Sequence, residues 1–265
     1  MHQDGNVSEN ISKFENLVKE NKELLNIPVN YKFLNNTTLK LRPLDWILMS
    51  EYNENSFKII EILLQNGANI NTYYQDDPNN FTIFYMLILN NKITNQDKVR
   101  LAELFVKYGA DVNLPQGVKN AHLLDESVLA GSLGLYEFFL KNKIETKDRL
   151  WHSTRWINQN YKLQDYVNLV KKQDDFSKEI MNSQRYKERK ENIVKLLKIF
   201  LKYNDLSDQQ DTLPDFLKEI VFANNTEAIK LLLQKQTPYQ KRIKELTLEY
   251  AKSFDRDEIV NLVKD

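Results

Sequence analysis

Two stretches of this chain stop a helix by the same device. FKIIEILLQNGANINT (Phe57–Thr72) and LAELFVKYGADVN (Leu101–Asn113) are amphipathic runs that each close on a glycine, and the two glycines, Gly67 and Gly109, stand 42 residues apart. Ile59, Ile60, Leu63 and Leu64 fall on one stripe of a helix, and Leu101, Leu104 and Phe105 do the same in the second copy. A residue without Cβ adopts positive φ at little cost, so each glycine reads as a left-handed C-terminal stop. A stop that recurs at a fixed interval implies a repeated supersecondary unit, and the rest of the chain is read against that period.

With 265 residues, 42% of them hydrophobic, the chain can bury a sizeable core. Its 37 Lys/Arg balance 37 Asp/Glu, so no global field attracts nucleic acid or an anionic membrane. The charge is unevenly placed, with 16 Lys/Arg against 8 Asp/Glu between Lys141 and Lys202 and acidic segments on either side. The absence of cysteine excludes disulfides, thiolate metal sites and cysteine nucleophiles. The start MHQDGNVSEN has no basic or apolar leader pattern, and no eighteen apolar residues run together. These features predict a soluble, cytoplasmic chain.

The units resemble ankyrin repeats. Asn66–Asn71 (NGANIN) and Tyr108–Asn113 (YGADVN) match that family's G-A-D-V-N element, and RPLDWI (Arg42–Ile47) and TIFYML (Thr82–Leu87) stand where its T-P-L-H-x-A opening belongs. The openings are 40 residues apart, so each unit carries extra residues, expected in the turns Glu51–Asn55 and Asn91–Asp97 and in the finger Tyr73–Asn80. His122–Lys143, Asp215–Gln236 and Leu246–Val263 align without gaps, the last as a shortened cap. The resemblance implies an all-α, ankyrin-repeat-like α-solenoid of stacked helix pairs with short β-turn fingers. Its expected divisions are capping helices over 1–40, repeats over 41–145, an irregular basic helical section over 146–204, and repeats with a C-terminal cap over 205–265. Within the irregular section, Asp148–Ile157 and Leu163–Lys172 read as one helix pair. The stretches FSKEIMNSQRYKERK and ENIVKLLKIFLKY read as another, with Asn204 as its stop. Few glycines remain, so other stops pass to Asn or Lys.

Catalytic signals are weak. His2, His122 and His152 have no partners at metal-ligand spacing, and no glycine-rich phosphate loop joins a strand to a helix. WHSTRW (Trp151–Trp156) gathers His, Ser, Thr and Arg, but neighbours along a helix point in different directions. RYKERKE (Arg185–Glu191) reads as a solvated helix face, not a nucleic-acid patch. No cofactor is implied.

What the resemblance implies about function is a surface. In the family, partners touch the residue before the opening motif and two consecutive positions late in the first helix. Carried onto this chain, these are Phe81 with Leu89 and Asn90, Ala121 with Leu129 and Ala130, Arg155 with Trp156, Phe222 with Ala223, and Ser253 with Phe254. The finger adds Tyr73 and Tyr74, expected at an exposed tip beside Asp76 and Asp77. Aromatic residues and arginine in such places suit binding hot spots. The expected function is a non-catalytic protein-protein interaction module, a stoichiometric binder or inhibitor of immunity type or directed at a host protein. Its partner would be another protein presenting an acidic patch to residues 141–202, with neither membrane nor nucleic acid involved. A structural scaffold subunit is the alternative, and an enzyme with a cleft in the irregular middle is the third reading. Self-association stays open.

Overall fold

The computed structural model describes residues 3–32, 38–74, 81–117, 121–160 and 182–264. Over these residues the chain is mostly helical, with one two-stranded sheet. It divides into two compact units, Met1–Glu126 and Ser127–Asp265.

The first unit opens with α1 (Gln3–Glu20), a 3-10 turn (Lys22–Leu24) and an antiparallel hairpin of β1 (Val29–Lys32) and β2 (Thr38–Leu41). α1 and the 3-10 turn agree with the helices expected over 1–40, whereas Val29–Lys32 and Thr38–Leu41 in that range are strands. Val29, Tyr31, Leu39 and Leu41 alternate with polar residues, the period of a strand, so this segment folds as a hairpin. Two helix pairs follow, α2 (Pro43–Met49) with α3 (Glu54–Gln65) and α4 (Ile83–Leu89) with α5 (Asn95–Lys107), and α2 also packs on α4. Side-chain caps start them: Asn53 Oδ1 accepts from the Asn55 and Ser56 amides at 2.9 and 3.1 Å, and Thr94 Oγ1 accepts from the Asp97 amide at 3.1 Å. The core is drawn from equivalent positions of successive pairs, Leu44 with Phe84 and Leu63 with Phe105, all at most 3% exposed. The unit's boundary falls within α6 (Leu123–Leu129).

Gly67 and Gly109 take φ of 98° and 87°, and the amides of Ala68 and Ala110 return to Leu63 and Phe105 carbonyls at 3.0 and 2.9 Å. That is the helix-closing geometry read from the sequence. One asparagine then ties each closed end to the preceding segment. Asn26 Oδ1 accepts from the Asn69 amide at 2.7 Å while its Nδ2 donates to the Gly67 carbonyl at 3.0 Å. Asn71 repeats this on Asp111 and Gly109, both at 2.8 Å. These bonds satisfy backbone groups that a helix end leaves unpaired, and so hold successive units in register.

In the second unit, α7 (Leu133–Lys141) and α8 (Arg149–Asn160) are followed by α9 (Gln184–Tyr203). Then come α10 (Leu213–Phe222), α11 (Thr226–Gln234), α12 (Gln240–Ser253) and α13 (Asp257–Lys264). The turn after a first helix has one form in three places: Gly131, Asn224 and Asp255 have positive φ, and the next amide returns to Ser127, Ile220 and Ala251 carbonyls at 2.8, 2.9 and 2.8 Å. Within the second unit, other side chains tie successive segments together. Thr146 Oγ1 meets Asn204 Oδ1 at 3.2 Å and also Asp208, and Gln209 accepts from the Leu150 amide at 2.9 Å.

Two expectations for this section are corrected. The break expected between Lys190 and Glu191 is absent, because α9 runs unbroken through it with Tyr186, Arg189, Ile193, Leu196 and Phe200 all buried on one stripe. Asn204 has φ of −135° and is not a left-handed stop; Lys143, at φ 60°, occupies the register of Gly67 instead. Leu163–Lys172 lies outside the described residues.

Substitutions at the two stops should move stability in opposite directions. Nothing lies within 4 Å of a Cβ built on Gly67, so Gly67→Val meets no clash there, and its cost is the backbone conformation, about 1–2 kcal/mol. Lys143→Gly relieves the same conformation and should stabilise by up to about 1 kcal/mol. Urea denaturation of the full chain measures both; equal midpoints for Gly67→Val and wild type would contradict the left-handed stop.

Candidate functional site

The first-helix positions are decided by how short those helices are. Each of α2, α4 and α6 spans seven residues, so its last residue lies where the chain turns away and is not covered. Met49, Leu89 and Leu129 hold that same position and are 39%, 51% and 38% exposed. In the first unit, Asn90 Nδ2 donates to the Leu48 carbonyl at 2.6 Å, which sets the end of α4 against the end of α2. Asn90 also accepts from the Lys92 amide at 2.8 Å. Its side-chain amide is thus engaged at both ends, which fixes this half-buried residue in place.

Several finger residues also turn inward. Tyr74 is 9% exposed and its amide donates to the Phe81 carbonyl at 2.7 Å, which corrects the exposed tip expected for it. Tyr73, half-buried, forms an isolated antiparallel bridge with Thr82. Phe81, also half-buried, stacks on Tyr85 with ring centroids 4.8 Å apart and planes 6° apart. Burial pushes the Tyr85 hydroxyl up to about 12, with the Glu126 charge and their hydrogen bond adding to it. Asp76 and Asp77 lie outside the described residues.

In the second unit, Phe222 and Phe254 come together edge to face, 5.2 Å between centroids. Both are half-buried. Arg256, which no motif in the sequence singles out, donates through Nε and Nη2 to the Phe222 carbonyl at 3.2 and 2.9 Å and lies 5.8 Å from the Phe222 ring centroid. The cluster of two aromatic faces with a guanidinium is therefore held by α10 and the turn after α12. Arg155 is exposed, with its guanidinium 4.9 Å from the Trp151 ring centroid, and Trp156 is half-buried.

The basic segment is less free than its composition implies. Arg189 is 3% exposed and pairs with Glu219, which corrects the solvated face expected for RYKERKE at that residue. Lys198 pairs with Glu227 and Lys202 with Glu137, each at 2.7 Å. The Lys202 amine holds the Glu137 carboxyl below its ordinary range. An acidic partner surface would meet these carboxylates as well as the lysines.

A second surface was not foreseen at all. Phe14 of α1, Val29 and Tyr31 of β1, Leu41 of β2, Trp46 of α2 and Ile59 of α3 line a groove of about 450 Å³ in the first unit. Arg42 also lines it, with its charge held by Asp45 at 2.8 Å. The groove unites residues spread over some fifty positions and two periodicities, so no single motif announces it.

Among the described residues, no three His, Cys, Asp or Glu side chains are placed to hold a metal ion. His122 Nδ1 accepts from the Leu124 amide at 3.3 Å at the start of α6, and His152 lies against Trp151 at 5.3 Å. The cleft that an enzyme reading needs between 146 and 204 falls partly on residues 161–181, outside those described. Among the described residues no helix is long and apolar enough to cross a membrane. Set against family models and against curated proteins, the sequence matches none.

Proposed function

We propose that this chain is a non-catalytic binding protein, an ankyrin-like solenoid that holds one partner protein in a stoichiometric complex, as an inhibitor or an immunity-type factor would. The observation that carries the reading is the recurrence of a large, exposed apolar side chain at one register: Met49 and Leu89 end successive first helices of the first unit, and Leu129, in the second, holds the same position at the end of α6. Single exposed hydrophobes need no explanation, but a register that repeats one points to a surface used for contact. Phe222 stands at the same position of α10, and its pairing with Phe254 and Arg256 supplies the residue types that dominate binding hot spots. The repeated glycine stops and the asparagine ties of Asn26 and Asn71 support the ankyrin-like part of the reading. A cytoplasmic setting goes with the cysteine-free composition.

The groove of the first unit favours a second reading, since two separate apolar surfaces on one chain suit a scaffold subunit. Affinity isolation of the full chain from its own cells, with quantitative mass spectrometry, separates the two. The binder reading expects one protein near equal stoichiometry, with capture reduced about tenfold or more by Leu89→Glu, a variant that should melt like wild type. Several proteins in fixed ratio support the scaffold. Unchanged capture by both Leu89→Glu and Phe222→Glu overturns the register argument.

A further inference from the structure

The hairpin of the first unit presents a strand edge beside an apolar groove. β2 packs on α2, and β1 is the outer strand of a two-stranded sheet, exposed at all four residues. Antiparallel pairing turns the backbone N–H and C=O of alternate β1 residues away from β2, where an added strand can meet them. Directly opposed residues share a face, so Val29 with Leu41 and Tyr31 with Leu39 form one side of the hairpin. Three of these four line the groove, and Val29 is 64% and Tyr31 44% exposed. The other face carries Asn30 opposite Lys40 and Lys32 opposite Thr38, two lysines and no acid, all four exposed.

We propose that the β1 edge and its groove bind an extended peptide segment of a partner protein, one that alternates apolar and acidic residues. Such a segment adds a third strand to the hairpin. Its period of two sends every second side chain onto the groove beside Val29 and Tyr31, and the intervening carboxylates onto the face of Lys32 and Lys40. A second copy of this chain fits the edge less well. Two hairpins meeting edge to edge would bring together four lysines with no acid to balance them, and like charges across a strand pair are destabilising. This surface is separate from the first-helix register, so either can hold without the other.

The test uses the full chain and a fluorescein-labelled ten-residue peptide of alternating valine and glutamate, read by fluorescence polarisation. Saturable binding is expected, weakened about tenfold or more by Lys32→Glu/Lys40→Glu and recovered on that variant by the valine–lysine peptide. Methylating alternate backbone nitrogens of the peptide should abolish binding, because the strand bonds are lost. Leu89→Glu should leave the peptide affinity unchanged, which separates failure here from failure of the register argument. No saturable binding up to about 1 mM overturns the proposal. Equal affinity for the charge-reversed variant or for the methylated peptide does so too. A concentration-dependent dimer in sedimentation that Val29→Asp disperses would assign the edge to a second copy, and would equally overturn it.

Discussion

Arg42→Leu should destabilise the first unit by about 3–5 kcal/mol, whereas Arg42→Leu/Asp45→Leu should cost far less. The two side chains are 5% and 4% exposed, and Nε and Nη2 of Arg42 each meet a carboxylate oxygen of Asp45 at 2.8 Å. Asp45 also accepts from the Arg42 amide at 3.2 Å, closing the N-terminus of α2. Nη2 reaches on to the Tyr73 carbonyl at 3.0 Å, and Nη1 to Thr72, so the pair fastens the start of α2 to the loop that follows α3. Losing the arginine alone leaves a buried carboxylate without its counter-charge. Removing both groups leaves an apolar site that the surrounding core can fill. Thr82 does the corresponding job in the next repeat, with a 2.6 Å hydroxyl bond to Gln116, and needs no charge to do it. Denaturant unfolding of the wild type and the two variants decides the matter, and a double variant as unstable as the single one would contradict this account.

Phe105→Ala should cost about 3–5 kcal/mol, and Phe222→Ala only about 1 kcal/mol. Phe105 is fully buried on α5 and meets Phe84 edge to face at 5.9 Å, so truncation opens a cavity between two helices that cannot close without moving both. Phe222 is half-buried and its ring lies at the surface cluster with Phe254 and Arg256. The contrast sorts the aromatic residues into those that hold the fold and those that lie at its surface. It fails if the two variants unfold at the same denaturant concentration.

What could be read from the sequence follows from how local each signal is. The stops at Gly67 and Gly109 and the burial of Leu44, Phe84, Leu124 and Leu217 at one register are written within a few residues of chain, whereas the choice of Lys143 over Asn204 as a left-handed stop is not. The same locality made α8 and the first-helix positions of Leu89, Arg155 and Phe222 legible. Long-range partners were not. Arg189 sits in a run of charges that looks solvated, yet it is buried and pairs with the carboxylate of Glu219, thirty residues on. Asn90 reads as a partner-contact position, and its bond to the Leu48 carbonyl, 42 residues away in the chain, is not legible. The β1–β2 hairpin was missed because its strands are four residues each, too short for alternation to stand out beside a long α1. The groove could not be read at all, being assembled from helix and strand residues that share no period.

The central claim, that the ends of the first helices form the partner-binding surface, is tested most directly by site-specific photo-crosslinking in the cells that make the protein. A photo-reactive phenylalanine analogue in place of Leu89 samples the exposed end of α4, and the same analogue in place of Glu103 samples the exposed side of α5. Both sites face solvent, so either should accept the analogue without loss of fold. The account predicts one discrete crosslinked partner from position 89 and none from position 103. Crosslinking of that partner from position 103 with nothing from position 89 would contradict it.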